Sequence, residues 1–156
     1  MNFPGVLLRD PEVLAKIRAC KGLVIDGHAP GLRGAELSAY ISAGIYSDHE
    51  SVSMEEARDK LSKGMMVMVR EGSASRNLSD LIGLVTVGNS RRFMLVTDDK
   101  SADDLLIEGH IDHSLRRAVG EGVDPVEAVR MVTLNPAEYF GLKQHGGIAP
   151  GCCPIS

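Results

Sequence analysis

The 156-residue chain has no tryptophan and only three tyrosines and three phenylalanines. So few rings argue against the stacking platforms that bind single-stranded nucleic acid. Positive charge is also short: the net charge of -4 gives no basic field for nucleic acid or anionic lipid. No apolar run approaches the roughly 20 residues of a membrane span, so neither nucleic acid nor membrane is an expected partner. The opening MNFPGVLLRDPEVL lacks the basic start and long apolar stretch of a signal peptide. The three cysteines, Cys20, Cys152 and Cys153, make no disulfide framework and suit a reducing cytosol, so a cytoplasmic location is expected. Neither G-x-x-x-x-G-K-[ST] nor G-x-G-x-x-G occurs, which leaves no phosphate loop.

What is present is the composition of a globular domain, 44% apolar and 24% charged, long enough for one core. β-prone apolar runs fall at Leu23–Ile25, Ile45–Tyr46, Met65–Val69 and Phe93–Val96. They are nearly continuous, as in parallel strands covered on both faces. Helical patterns lie between them. SMEEARDKLSKG pairs Ser53 with Glu56 at capping-box spacing and aligns Met54, Ala57 and Leu61. RGAELSAYISAG aligns Leu37, Tyr40 and Ile41, and NLSDLIGLV starts at a cap, Asn77, and aligns Leu78, Leu81, Ile82 and Val85. Downstream, a helix containing Ile107, Ile111 and Leu115 is expected, then two helices opened by Asp124-Pro125 and Asn135-Pro136. The order is β-α repeated four times with right-handed crossovers. It fits an open doubly wound sheet, or half of an eight-stranded barrel of about 250 residues.

In both folds chemistry gathers at the carboxyl ends of the strands. The first run delivers Asp26 and His28, the second Asp48, His49 and Glu50, the third Arg70, Glu71 and Ser73, and the fourth Asp98 and Asp99. Two imidazoles and a carboxylate form a usual ligand set for a catalytic divalent metal. A metal so held activates water near neutral pH, and a carboxylate beside it, with Asp98 the first candidate, can move a proton. A lone strand-end histidine is more often a loop residue bonded to backbone. It is the recurrence of His28, His49 and Asp98 at three of four strand ends that favours a site. Asp26 and Asp99 serve equally as loop caps, Glu50 as a solvated turn residue, and Arg70 with Glu71 as a rim ion pair. His110 and His113, spaced i, i+3, are expected on an exposed helix face, and His145 in solvent.

The segments GHAPGLRGAELSAYISAGIYSDHES, GMMVMVREGSASRNL, VTDDKSADDLLIEGHID and VDPVEAVRMVTLNPAEYFGLKQHGGIAPG resemble, in order and spacing, the second half of the microbial adenine deaminases, a family of the amidohydrolase superfamily. The resemblance runs from the start to about Gly151. It implies a (β/α)8 barrel with one or two divalent metals at its mouth, manganese foremost and iron or zinc as alternatives. It implies deamination of adenine to hypoxanthine and ammonia in purine salvage. By position His28 and His49 match the metal ligands of strands five and six. Asp98 matches the strand-eight aspartate that binds metal and handles protons. Glu50, with a catalytic role, and the Arg70, Glu71 and Ser73 segment, as substrate-binding residues, fall near the purine. The zinc base deaminases carry H-x-E and P-C-x-x-C, which are absent here.

The family also uses a His-x-His pair after the first barrel strand and a carboxylate after the fourth, and neither is in this chain. The tail GCCPIS departs from the family pattern. The expectation is therefore a single partial catalytic domain over residues 1–156, an α/β half-barrel of strands five to eight with their helices, reading as a fragment. Alternatives are another amidohydrolase acting on a cyclic amidine or amide, or a half-barrel that binds partners without catalysis. Unpaired edges at Leu23–Ile25 and Phe93–Val96 would favour a homo-oligomer, or pairing with a separate N-terminal half.

Overall fold

The computed structural model describes residues 1–152; Cys153 lies outside the described residues. The fold is α/β and divides into two compact units, Met1–Met68 and Val69 onward.

The first unit opens with α1 (Phe3–Leu7) and α2 (Pro11–Ala19). Asp10 caps α2, its carboxylate accepting from the Glu12 and Val13 amides at 2.8 and 3.2 Å, with Pro11 in the first turn. Next come α3 (Gly34–Ser42), the short strand β1 (Ser47–Asp48), α4 (Met54–Ser62) and β2 (Met66–Arg70). β1 pairs in parallel with β2, Ser47 opposite Met66 and Asp48 opposite Val67. Val6, Leu32, Leu37, Tyr40, Ile45 and Met65 form one buried cluster, each large side chain worth about 1.5–3 kcal/mol of burial. Leu37 and Tyr40 thus share the inward face of α3 that the sequence spacing indicates. Ser53 caps α4 by accepting from the Glu56 amide at 3.3 Å.

β2 runs across the boundary, and the sheet order is β1-β2-β3. The second unit holds α5 (Leu78–Leu81), 3-10 turns at Ile82–Leu84 and Ser90–Arg92, β3 (Phe93–Val96), α6 (Ala102–Ile107), α7 (Ile111–Gly120), α8 (Pro125–Val132) and α9 (Leu134–Tyr139). Helices α7, α8 and α9 each pack on β3, and α8 also packs on α7 and α9. Phe93, Met94, Leu95, Ala128 and Met131 are buried there. Asp124 caps α8 as its sequence predicts, accepting from the Val126 and Glu127 amides at 2.9 and 3.2 Å.

Several elements differ from expectation, each for a local reason. Leu23–Ile25 forms no ladder strand; Leu23 is 72% exposed and Val24 43%. Just beyond the run, His28 makes an isolated parallel bridge with Asn2 at the amino terminus. Pairing in β1 lies two residues beyond the apolar Ile45–Tyr46, because Met66 donates to the Tyr46 carbonyl at 2.7 Å and sets the register there. The expected helix through Ile107, Ile111 and Leu115 is two helices, since Gly109 turns the chain at φ +105°, a conformation other residues rarely adopt. Ile107 is left 82% exposed, and His110 becomes the exposed residue before α7 rather than one of an in-helix pair. α9 starts one residue before Asn135, whose side chain does not cap it. Its amide instead donates to the carbonyls of Ser90 and Phe93 at 2.9 and 2.8 Å, tying α9 to the start of β3.

Candidate metal centre

The run ending at Gly27 and the strand β1 come very close. A Cβ on Gly27 would lie 2.0 Å from the Ser47 carbonyl, so only glycine lets the two chains meet there. Ser47 donates to Asp26 Oδ1 at 2.6 Å. His28, one residue beyond Gly27, and His49, two beyond Ser47, therefore face each other, with ring centroids 5.6 Å apart and planes at 63°.

Glu50 lies between them. Its Oε1 is 3.3 Å from His28 Nδ1 and 3.3 Å from His49 Nε2. One donor atom each from His28, His49 and Glu50 falls within 4.8 Å of the others. Two nitrogens and one carboxylate oxygen so grouped fit a first-row divalent ion. The other ring nitrogen of His49, Nδ1, is 3.3 Å from Asp26 Oδ2. Carboxylate support of the outer ring nitrogen is the usual way a protein orients a metal-binding histidine and raises its basicity. The Asp26 hydrogen bond holds the His49 pKa above its ordinary value against the opposing effect of burial, with the charges of Asp26, Glu50 and Asp48 adding. Burial acts to raise the Asp26 carboxyl, but bonds from His49, Ser47 and the Gly27 amide hold it below the usual range. Asp26 is thus not only the loop cap its position allowed, though it does accept from Gly27 at 2.8 Å.

The second unit holds the other expected residues. Asp98 follows β3 at φ +54°, a left-handed conformation that aspartate adopts more readily than most residues. Its Oδ2 accepts from buried Arg70 at 3.2 Å. Glu71, fully buried, pairs through Oε1 with Arg117, while its Oε2 is buried with no hydrogen-bond partner among the described residues. Arg70 and Glu71 thus turn to Asp98 and Arg117. The Ser73 hydroxyl donates to Asp104 and accepts from the Ser101 amide at 2.8 Å, which commits it to loop structure. Asp99 accepts from the Ala74 amide at 2.8 Å. His145 is exposed, and His113 lies 3.8 Å from Glu108.

Sequence reasoning missed Lys60. It is fully buried on α4, and its ammonium meets Asp48 Oδ2 at 2.8 Å and Glu56 Oε1 at 2.6 Å. The local trace of it is the i, i+4 spacing of Glu56 and Lys60: these two with Ala57 make the buried face of α4, whereas Met54, aligned with Ala57 by the spacing, is 39% exposed.

Residues 10–153 match the Amidohydrolase family. The chain is 56% identical over 153 residues to an adenine deaminase of Desulfatibacillum aliphaticivorans, covering 97% of this chain and 27% of the relative. It is 54% identical over 151 residues to an adenine deaminase of Dehalococcoides mccartyi, covering 97% and 26%. It is 58% identical over 151 residues to one from Archaeoglobus fulgidus, covering 96% and 26%. The chain spans about a quarter of the length of these relatives. With the family match extending over nearly all of its residues, the chain belongs to the amidohydrolase family.

Proposed function

We propose that this chain supplies part of the metal centre of an adenine deaminase, as strands five to eight of a (β/α)8 barrel with their helices. The observation that carries this reading is the meeting of His28, His49 and Glu50 in a chain similar over 97% of its length to proteins named adenine deaminase. The reaction is hydrolysis at C6 of adenine: water supplies the oxygen, the exocyclic nitrogen leaves as ammonia, and hypoxanthine remains. His28, His49 and Asp98 are the ligands in this reading, and Glu50, whose oxygen meets both rings, is a further donor to the same ion.

A divalent metal held there, manganese foremost with iron or zinc as alternatives, would supply an activated water near neutral pH. Asp26 holds the His49 ring in one orientation. Glu50, with one oxygen near both rings, is suited to hold a proton in transit to the purine. Arg70 fixes the Asp98 carboxylate. Glu71 Oε2, without a hydrogen-bond partner among the described residues, is an acceptor suited to an N–H of adenine, and Ser73 keeps the adjoining loop in shape. The rest of the barrel comes from another segment or a second copy. A cytoplasmic setting suits the free thiols of Cys20 and Cys152.

The test is a chimera in which this chain replaces the matching segment of the Archaeoglobus fulgidus relative. The reading predicts conversion of adenine to hypoxanthine, abolished by His49→Ala. A folded, metal-loaded chimera that leaves adenine unchanged contradicts it.

A further inference from the structure

The Lys60 ammonium is buried with four oxygens around it: the Ala29 carbonyl at 2.8 Å, Asp48 Oδ2 at 2.8 Å, Ser51 Oγ at 3.1 Å and Glu56 Oε1 at 2.6 Å. Ala29 follows His28 in the chain. Asp48 and Ser51 bracket His49 and Glu50. The carboxylates extend the same hold. Asp48 Oδ1 accepts from the Ala29 amide at 2.8 Å, and Oδ2 accepts from the Glu50 amide at 3.0 Å. Glu56 accepts from the Gly31 amide at 2.8 Å and the Val52 amide at 3.3 Å. Both loops that carry the candidate donors are thus pinned to one cluster of three charges in the core, the His49–Glu50 stretch on both sides and the His28 loop at Ala29 and Gly31, just after the histidine.

A core does not need this cluster for stability alone. Taking three charges out of water is costly, and apolar side chains of similar volume are often as stabilising. What the cluster provides is direction. An ammonium with its donors engaged by a strand carboxylate, a helix carboxylate, a hydroxyl and a loop carbonyl fixes the distance between the loops more tightly than packing does. Metal sites depend on such fixing of their donors by the surrounding shell.

We propose that Lys60, with Glu56 and Asp48, is a positioning unit that sets the separation of His28 from His49 and Glu50 before metal arrives, and so sets the affinity and ligand geometry for a divalent ion. The inference rests on the metal reading of these three donors.

The test uses the full chain and cobalt(II), read by calorimetry and by its visible absorption. Lys60→Met alone strands two buried carboxylates, so the working variant is K60M/E56L/D48N, which removes all three charges and their desolvation together. The proposal expects this variant to melt cooperatively, to bind cobalt at least about 10-fold more weakly, and to show an altered visible spectrum. Wild-type affinity and spectrum in the folded variant overturn the positioning role and leave the metal site standing. Absence of cobalt binding by the unsubstituted chain, or unchanged binding after His28→Ala, overturns the metal reading and the proposal with it. Backbone exchange in the metal-free, unsubstituted chain decides the matter even where the variant does not fold. Slow exchange at the Ala29, Gly31 and Glu50 amides is the expected result, and fast exchange at all three overturns preorganisation.

Discussion

His49 works through both faces of its ring. Nδ1 meets Asp26 and Nε2 meets Glu50, both at 3.3 Å. Asp26→Asn keeps the size of the side chain but weakens its hold on the ring. Metal affinity measured by calorimetry should fall about 10–100-fold with little change in melting temperature. An unchanged affinity would mean that Asp26 serves only as a loop cap. A second residue-scale outcome concerns Glu108, far from these groups in sequence. Hydrogen bonds from Lys100 and Arg76 draw its carboxyl down to about 2. A carboxyl depressed in the folded state adds stability above its unfolded pKa and loses it as pH falls toward about 2. Carboxyl-carbon NMR should show Glu108 still ionised at pH 3, and 1 M salt should move its midpoint upward by screening. A midpoint near the ordinary glutamate value at low salt would contradict the bonding.

Elements differ in how much of their structure is local. The caps Ser53 and Asp124 act within a few residues of themselves, so sequence spacing reveals them. Asp10-Pro11 carries the same local signal as Asp124-Pro125 and opens α2 in the same way, though it lies outside the β-α alternation that organised the reading. Asn135 stands before Pro136 like a cap, but its amide reaches 45 and 42 residues back to Ser90 and Phe93, and no local pattern carries that contact. Lys60 was hidden for a related reason: hydropathy treats lysine as a solvent residue, and only the tertiary meeting with Asp48 reverses that. The meeting of His28, His49 and Glu50 has a different origin from the ladder of strand ends that the spacing suggests: Leu23–Ile25 forms no strand, and the close pass of Gly27 by Ser47 brings the two loops together. For Asn135, replacement by alanine leaves two buried carbonyls short of a donor. A loss of about 1–3 kcal/mol in denaturant unfolding is expected, and a change below a few tenths would show that the bonds carry little.

For the whole molecule, the chain covers about a quarter of its relatives' length, and among the described residues no helix is long and apolar enough to cross a membrane. The 156-residue chain alone should deaminate adenine far more slowly than a full-length relative, because its expected ligand set is incomplete; comparable turnover would contradict this. β1 and β3 are the edge strands of the described sheet, and Leu23 and Val24, which form no strand, are exposed. Such edges are templates for pairing, and two copies related by a two-fold axis would satisfy both. Sedimentation equilibrium should therefore show a dimer or larger species, and a monodisperse, cooperatively unfolding monomer would count against it.

The account stands or falls on the meeting of His28, His49 and Glu50. Calorimetric titration of the purified chain with manganese(II), repeated with His28→Ala and His49→Ala, tests it most directly. The account predicts saturable binding by the unsubstituted chain that each substitution weakens at least about 10-fold while the fold persists. No binding, or binding that ignores both substitutions, would contradict it.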